Sequence, residues 1–332
     1  MGIKGLNKYF KNNATPKSIT KRHFYEFQHK RIVFDTSIYI YKYLEEGALI
    51  ENMYTLICQC IEHDITPLFI FDGKPTETKS ALLKARHIRK LDAYERLVQM
   101  ETEYERQKHA CTGEQRMNIM KEMNNLRKRS IRVRQEDIAA LKSLMDTMNV
   151  YYCDAPYEAD IVCAYHVLKK DAWACVSDDM DMFVYNCPRV LREWDIKQEC
   201  TIMYNFDLIK QDIRLPSIYV RPLLLFVGND YLSYPTYSMN MMMKWYHTYE
   251  NENSFSCENR KRTSKDVDHF INWMVFNGNI RADHAIQIQK ICSMFEVPEH
   301  MILKKPLPTT TCSISYAPLS KIMAQYGYVF VK

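Results

Sequence analysis

Proline is absent between residues 76 and 155, and glycine occurs there once, at Gly113, in a chain of 332 residues with 12 prolines and 8 glycines in all. Turn-rich loops are thereby excluded over that stretch, and long helices interrupted once are predicted. No run approaches the roughly 18 consecutive apolar residues of a membrane-spanning helix. The opening MGIKGLNKYF lacks the apolar segment of a secretory leader and has Leu6 where a myristoylation signal takes Ser or Thr. Neither secretion, lipid anchoring nor a membrane partner is expected. The 11 cysteines are odd in number, scattered and without a CxxC pair, so a disulfide framework and a zinc site both lack their usual spacing. An intracellular, reducing compartment is the expectation. Net charge is also small, at +5, too mild by itself to establish a nucleic-acid partner.

With 47% hydrophobic and 26% charged residues, the composition is that of a globular protein long enough for one large domain or about two ordinary ones. Four apolar runs read as buried strands ending in carboxylates: IVFD at 32–35, PLFIFDG at 67–73, NVYYCDAPYEAD at 149–160 and WACVSDDMD at 173–181. A fifth, LLLFVGND at 223–230, has the same grammar and is read the same way. Helical spacing occupies 38–63 (Ile38, Tyr41, Leu44, then Met53, Ile57, Cys60 and Ile61) and 160–170. Strands alternating with helices predict a mostly parallel α/β sheet, and ligands of such sheets sit outside the carboxyl ends of the strands. The carboxylates therefore converge on one edge.

The charge distribution is uneven. Residues 79–134 hold 15 Lys and Arg against 7 Asp and Glu, an excess of 8 in a chain whose total is +5. The basicity thus belongs to one projecting helical segment, for whose second half Thr112 and Gln115 form a capping box. Beyond 231, residues 265–277 and 280–296 read as helices and KKPLPTTT at 304–311 as a loop or linker.

The candidate metal ligands are Asp35, Asp72, Glu158, Asp160, Asp179, Asp181 and Asp230. An isolated Asp after a strand is more often a turn residue or helix N-cap. A joint set of mutually repelling carboxylates points instead to a counter-ion. Mg²⁺ takes such oxygen ligands while keeping several waters, and a pair of ions can activate a water and stabilise the leaving oxygen of a phosphodiester.

In these motifs the sequence resembles the flap endonucleases and related structure-specific 5′-nucleases. The matching text is MGIKGL at the N-terminus, FDTSIYIY around Asp35, PLFIFDGKP around Asp72, APYEAD at 155–160, SDDMD at 177–181 and VGNDY at 227–231. All seven acidic positions of the family find an Asp or Glu, with Asp160 one methylene shorter than the Glu more usual there. The resemblance implies two Mg²⁺ ions, with Mn²⁺ as a substitute, and a helical arch over the site. It places Lys79 and Arg86, seven residues apart on one helix face, at the scissile phosphate. Tyr41 matches an aromatic that stacks on the base at the cut, and Gly2 lets the chain terminus approach DNA. Arg89, Lys90, Arg127, Lys128, Arg129, Arg132 and Arg134 are the further candidate DNA contacts along the arch.

The sequence also departs from the family's pattern. The family follows its GNDY-like motif with a glycine-rich hairpin that grips duplex phosphates, often with a monovalent cation. Here YLSYPTYSMNMMMKW follows, and no glycine occurs between Gly228 and Gly278, so that hairpin is absent or rebuilt. The stretch from Tyr41 to Pro67 is shorter than in a flap endonuclease, which implies a reduced wedge and 3′-flap pocket, and YGYVFVK carries no recognisable sliding-clamp motif. The expected organisation is a nuclease core over 1–235, including the arch at about 79–134, and a divergent, mostly helical region over 236–332 packed on it. The compact chain is similar to the divergent members of the family in large DNA viruses, which implies work in the nucleus or at a cytoplasmic site of viral DNA replication. The expected function is Mg²⁺-dependent cleavage of DNA at flaps, single-strand/duplex junctions or 5′ ends, in replication, repair or recombination. A 5′–3′ exonuclease or junction resolvase of the same fold, acting on DNA or RNA, and a catalytically silent nucleic-acid-binding scaffold remain as alternatives. Oligomeric state is not legible.

Overall fold

The computed structural model describes residues 2–74, 77–109, 111–228, 231, 237–253, 262–296 and 316–328, the side chains of 77–83 and 316 excepted. Its centre is a seven-stranded sheet in the order β1-β7-β6-β5-β2-β3-β4. The strands are β1 (Ile19–His23), β2 (Arg31–Asp35), β3 (Thr66–Phe71), β4 (Tyr151–Asp154), β5 (Ala174–Val176), β6 (Arg189–Asp195) and β7 (Cys200–Asn205). Neighbours from β6 through β5, β2 and β3 to β4 pair in parallel, while β7 pairs antiparallel with both β6 and β1. Chain order runs outward in opposite directions from the β5–β2 boundary. Such a switch point opens a crevice beyond the carboxyl ends of the two strands.

Four of the five carboxylate-tipped runs are the strands expected. The fifth is not: 217–227 forms helix α9 (Ser217–Val227), buried almost all round. A continuous apolar run has no periodicity that separates a buried strand from a buried helix. Strands β1, β6 and β7 were not anticipated, because charged residues such as Arg189, Arg192, Glu193 and Asp195 interrupt the apolar pattern of β6. The 38–63 segment is two helices, α2 (Thr36–Glu45) and α3 (Leu49–Glu62), and 160–170 is α7 (Ala159–Leu168).

Two cores cover the sheet. One face packs against α1 (Leu6–Asn13), α7, α8 (Phe206–Asp212), α9, α10 (Met239–Asn253), α11 (Ser264–Phe276) and α12 (Ala282–Met294). The other packs against α2, α3, α6 (Gln135–Thr147) and α13 (Tyr316–Gln325), around Trp194, which stacks on Phe24 with ring centroids 4.0 Å apart. The region 304–311 lies outside the described residues. No helix among those described is long and apolar enough to cross a membrane.

The glycine-poor stretch forms α4 (Glu77–Gln107) and α5 (Gly113–Ser130), with a second break before α6. Thr112 caps α5 as its spacing predicts: its Oγ1 accepts the Gln115 N–H at 3.3 Å and the Gln115 side chain accepts the Thr112 N–H at 2.9 Å. The two helices form a hairpin with its own small core of Ala93, Leu97, Met123 and Leu126, separate from the two that cover the sheet. Leu126→Ala should cost roughly 2–5 kcal/mol of that local packing. Hydrogen exchange should show α4 and α5 amides losing protection while β2, β3 and β5 keep theirs; equal loss in the sheet would refute a separately cored arch.

Candidate active site

The crevice beyond β5 and β2 gathers the carboxylates. Asp35 ends β2 and is 7% exposed, and the fully buried Ser177, just past β5, donates its hydroxyl to Asp35 Oδ2 at 3.1 Å. Asp72 follows β3 and has both oxygens engaged: Ser37 Oγ donates to Oδ2 at 2.5 Å and the Ala159 backbone N–H to Oδ1 at 2.8 Å. The second bond satisfies an orphan N–H in the first turn of α7, so a carboxylate from another strand does the work of a helix cap. Glu158 occupies the N-cap position of α7 and Asp160 its first turn, at the end where the helix dipole favours negative charge.

The SDDMD run splits by direction. Asp179 Oδ1 accepts the Asp181 N–H at 3.0 Å, whereas Asp178 is held by β6 through the Glu193 N–H, 2.8 Å from its Oδ1, and Arg192 Nη2, 2.9 Å from its carbonyl oxygen. Two glycines permit the crowding. Gly2 has φ +74°, and a Cβ there would collide with Asp179 Oδ1 and stand 2.6 Å from Asp181 Oδ1. At Gly73 a Cβ would strike the Ala155 carbonyl oxygen, and the Gly73 N–H donates to the Tyr157 carbonyl at 2.6 Å, clamping the loop after β3 to the loop after β4.

Electrostatics records the proximity. Burial, with Asp72 and Asp179 adding negative potential, pushes the Asp35 carboxyl up to about 8. Burial raises the Tyr185 hydroxyl as well, helped by the charges of Asp160, Glu158 and Asp181. The Cys163 and Cys175 thiols, buried beneath the crevice, are raised by burial and feel both Asp35 and Asp160. Six of the seven predicted acids thus share one edge, and Asp230 lies outside the described residues. Among the described residues no three His, Cys, Asp or Glu side chains form a ready-made cage for an ion. The donors still suit a hard divalent cation, being all oxygen and including a buried carboxylate held against its like-charged neighbours; Mg²⁺, which keeps several of its own waters, requires few direct protein ligands.

The chain leaves this edge after Asp72 and enters the basic α4–α5 hairpin. Lys79 lies in α4, and its side chain is outside those described; Arg86, Arg89, Arg129, Arg132 and Arg134 are exposed. Tyr41 is 42% exposed on α2, but its ring is already covered: Lys90 Nζ sits 3.2 Å from the hydroxyl and 4.3 Å from the ring centroid. One helical turn on, Glu45 pairs with Lys128 at 2.6 Å, and Arg127 pairs with Glu101 at 2.7 Å within the arch. Lys90, Arg127 and Lys128, expected as DNA contacts, thus have protein partners in Tyr41, Glu101 and Glu45. A groove of about 830 Å³ at the foot of the arch is lined by Leu44, Tyr94 and Arg127 and by residues 130–134 and 137. Ser37 and Ser177 were missed from sequence, although both lie inside the motifs that carry the acids, two residues after Asp35 and two before Asp179.

A mostly parallel sheet with an acidic edge at its switch point, and a basic helical hairpin inserted after β3, define an α/β protein of the 5′-nuclease architecture. Comparison with known proteins takes this further: the chain belongs to the flap endonuclease-like family. Residues 1–93 match the XPG N-terminal domain and residues 149–230 the XPG I-region. It is 31% identical to flap endonuclease 1 of Meyerozyma guilliermondii over 208 residues, which cover 58% of this chain and 52% of the relative. The chain spans between about half and three fifths of the length of the curated relatives it matches. In fold it is similar to the catalytic core of Rad2 in complex with DNA substrate, with TM-score 0.62, 18% identity and coverage of 99% of this chain and 96% of the other. It is similar also to the Holliday junction-resolving enzyme GEN1 in complex with product DNA and a Mg²⁺ ion, with TM-score 0.52, 15% identity and coverage of 98% and 68%.

The buried Asp35 carboxyl gives a pH signature for the metal-free protein. Its folded value of about 8 lies above the ordinary 3.8. Between these values the folded chain holds a proton that the unfolded chain releases, so this group's stabilising contribution is complete below the ordinary value and is lost as pH rises to the folded one. Melting in EDTA should therefore show stability falling from about pH 5 to about pH 8, and Asp35→Asn should flatten that fall. A wild-type profile no steeper than the variant's would contradict the burial of a repelled carboxylate.

Proposed function

We propose that the chain is a divalent-metal-dependent structure-specific nuclease that hydrolyses DNA phosphodiesters at flaps, single-strand/duplex junctions or 5′ ends. The observation that carries this reading is the acidic edge at the β5–β2 switch point, from which the chain passes after Asp72 into a helical hairpin whose segment 79–134 has an excess of 8 positive charges. Asp35, Asp72, Glu158, Asp160, Asp179, Asp181 and Asp230 are the residues that would hold two Mg²⁺ ions. When bound, such ions supply activation of the attacking water and stabilisation of the leaving oxygen.

The remaining roles fall to the chain's own side chains. Lys79 and Arg86 neutralise charge developing on the scissile phosphate, as preorganised cations do best in a site shielded from water. Tyr41 offers a ring face to the base at the cut, which requires Lys90 to leave it. Exposed cations at the arch foot, Arg129, Arg132 and Arg134, meet backbone phosphates. Gly2 keeps the entry to Asp179 and Asp181 free of a side chain.

The deciding experiment is digestion of labelled flap, nick, gap, Holliday-junction and single-stranded DNA and RNA with Mg²⁺. Cleavage confined to DNA junctions or 5′ ends is expected; no cleavage of any substrate would leave a binding scaffold. Asp179→Ala should reduce cleavage to background while the protein stays folded, because losing one carboxylate weakens both metal functions together. Asp72→Ala should do the same and also lower the melting temperature, since the Ala159 N–H loses its acceptor. Near wild-type turnover in either variant would sink the metal site.

Alanine at Lys79 or Arg86 should slow single-turnover cleavage on the order of 10²-fold with a smaller effect on binding. An effect on affinity alone would demote both to phosphate positioning. Substituting Arg129, Arg132 and Arg134 together should flatten the dependence of log affinity on log salt by about 0.7 to 0.9 for each phosphate no longer neutralised. Lys244→Ala, in α10, should leave that slope unchanged; the reverse pattern would move DNA binding to the C-terminal helices.

A further inference from the structure

Two serines join the acids into one hydrogen-bonded line along the sheet edge. Beginning past β5, the Asp181 N–H donates to Asp179 Oδ1 at 3.0 Å, and the Asp179 N–H donates to Ser177 Oγ at 3.2 Å. Ser177 Oγ in turn donates to Asp35 Oδ2 at 3.1 Å, crossing from the end of β5 to the end of β2. Two residues beyond Asp35, Ser37 Oγ donates to Asp72 Oδ2 at 2.5 Å, crossing from α2 to the end of β3. The line closes on α7, where the Ala159 N–H, between Glu158 and Asp160, donates to Asp72 Oδ1 at 2.8 Å. Along this line the crossings from β5 to β2, from α2 to the end of β3 and from there to α7 run through Ser177, Ser37 and the Ala159 N–H.

An ordinary hydroxyl at a strand end would turn to a nearby backbone carbonyl. Ser177 does not: it is fully buried, both its hydroxyl partners belong to candidate metal ligands, and its own N–H is spent on the Leu191 carbonyl at 3.1 Å, which fixes it to β6. A single oxygen thereby sets the rotamer of Asp35 and the backbone of Asp179 at once. Carboxylates that repel one another would otherwise swing apart, and donors to their outer oxygens are what hold ligands at a working spacing.

We infer that Ser37 and Ser177 are positioning residues that set the spacing of Asp72, Asp35 and Asp179 for divalent-cation binding. This rests on the proposal that those acids hold the metal. The test measures Mn²⁺ uptake by the full chain by electron paramagnetic resonance, together with the Mg²⁺ concentration that gives half-maximal cleavage. Ser177→Ala should bind Mn²⁺ about 10- to 100-fold more weakly, with Ser177→Thr, which keeps the hydroxyl, within about 3-fold of wild type. The Mg²⁺ requirement should rise in parallel, and saturating Mg²⁺ should restore most of the turnover, a recovery that a merely structural defect would not give. Ser37→Ala, at a partly exposed position, should shift both readouts in the same direction and serves where Ser177→Ala does not fold. Unchanged Mn²⁺ affinity in the alanine variants, or equal weakening by alanine and threonine at 177, would overturn the inference. Absence of Mn²⁺ uptake by the wild type would instead remove the metal reading, and the role of the serines with it.

Discussion

Like charges on one edge of a sheet repel, and the arrangement around Asp35, Asp72 and Asp179 is organised by that repulsion. Two carboxylates about 4 Å apart repel by about 4 kcal/mol at an effective dielectric of 20, and burial raises the penalty for any member that stays ionised. Asp35 shows the consequence, its carboxyl lifted to about 8 by burial and by the charges of Asp72 and Asp179. The edge is sustained by donors: two serine hydroxyls, the N–H groups of Ala159 and Asp181, and the dipole of α7. The parallel topology supplies the place, because only at the β5–β2 boundary do neighbouring crossovers leave in opposite directions.

The positive counterpart of that edge is kept on a separate body. The α4–α5 hairpin closes on its own core of Ala93, Leu97, Met123 and Leu126, and it meets α2 through Lys90 on Tyr41 and Lys128 on Glu45. Both contacts involve exposed side chains, so each contributes little and yields readily to salt or to a competing anion. Positions 41 and 45 are one helical turn apart and face the same way. The face of α2 that carries the Tyr41 ring is therefore also the face on which the arch rests.

The C-terminal helices α10, α11 and α12 continue the core that α7 and α9 build on one side of the sheet. Tyr249 and Tyr237 anchor there, each with its hydroxyl within 3 Å of a histidine Nδ1, at 2.8 Å from His269 and 2.9 Å from His284. Packing that large is consistent with the lack of glycine between Gly228 and Gly278, since bulky side chains occupy the interhelical space.

Local chemistry was legible from the chain alone. The acidic motifs at strand ends, the basic helical hairpin, the Thr112 capping box and the helices near 265 and 280 are each written in adjacent residues and their spacing, and the family could be read because its motifs occur in order. Whatever depends on residues far apart in the chain was settled by the fold. Packing made a helix of 217–227, since an apolar run has no period of its own until its neighbours bury it on all sides. It added β7 and also β6, whose buried Arg192 is tolerated because it donates to the carbonyl of Asp178 and lies 5.5 Å from the Tyr204 ring centroid. It turned Asp178 away from its neighbours and placed Lys90 on Tyr41. It also gave Ser37 and Ser177 their partners: a serine beside an aspartate is commonplace in a sequence, and acquires meaning only when the sheet carries its hydroxyl across to the acid of the next strand.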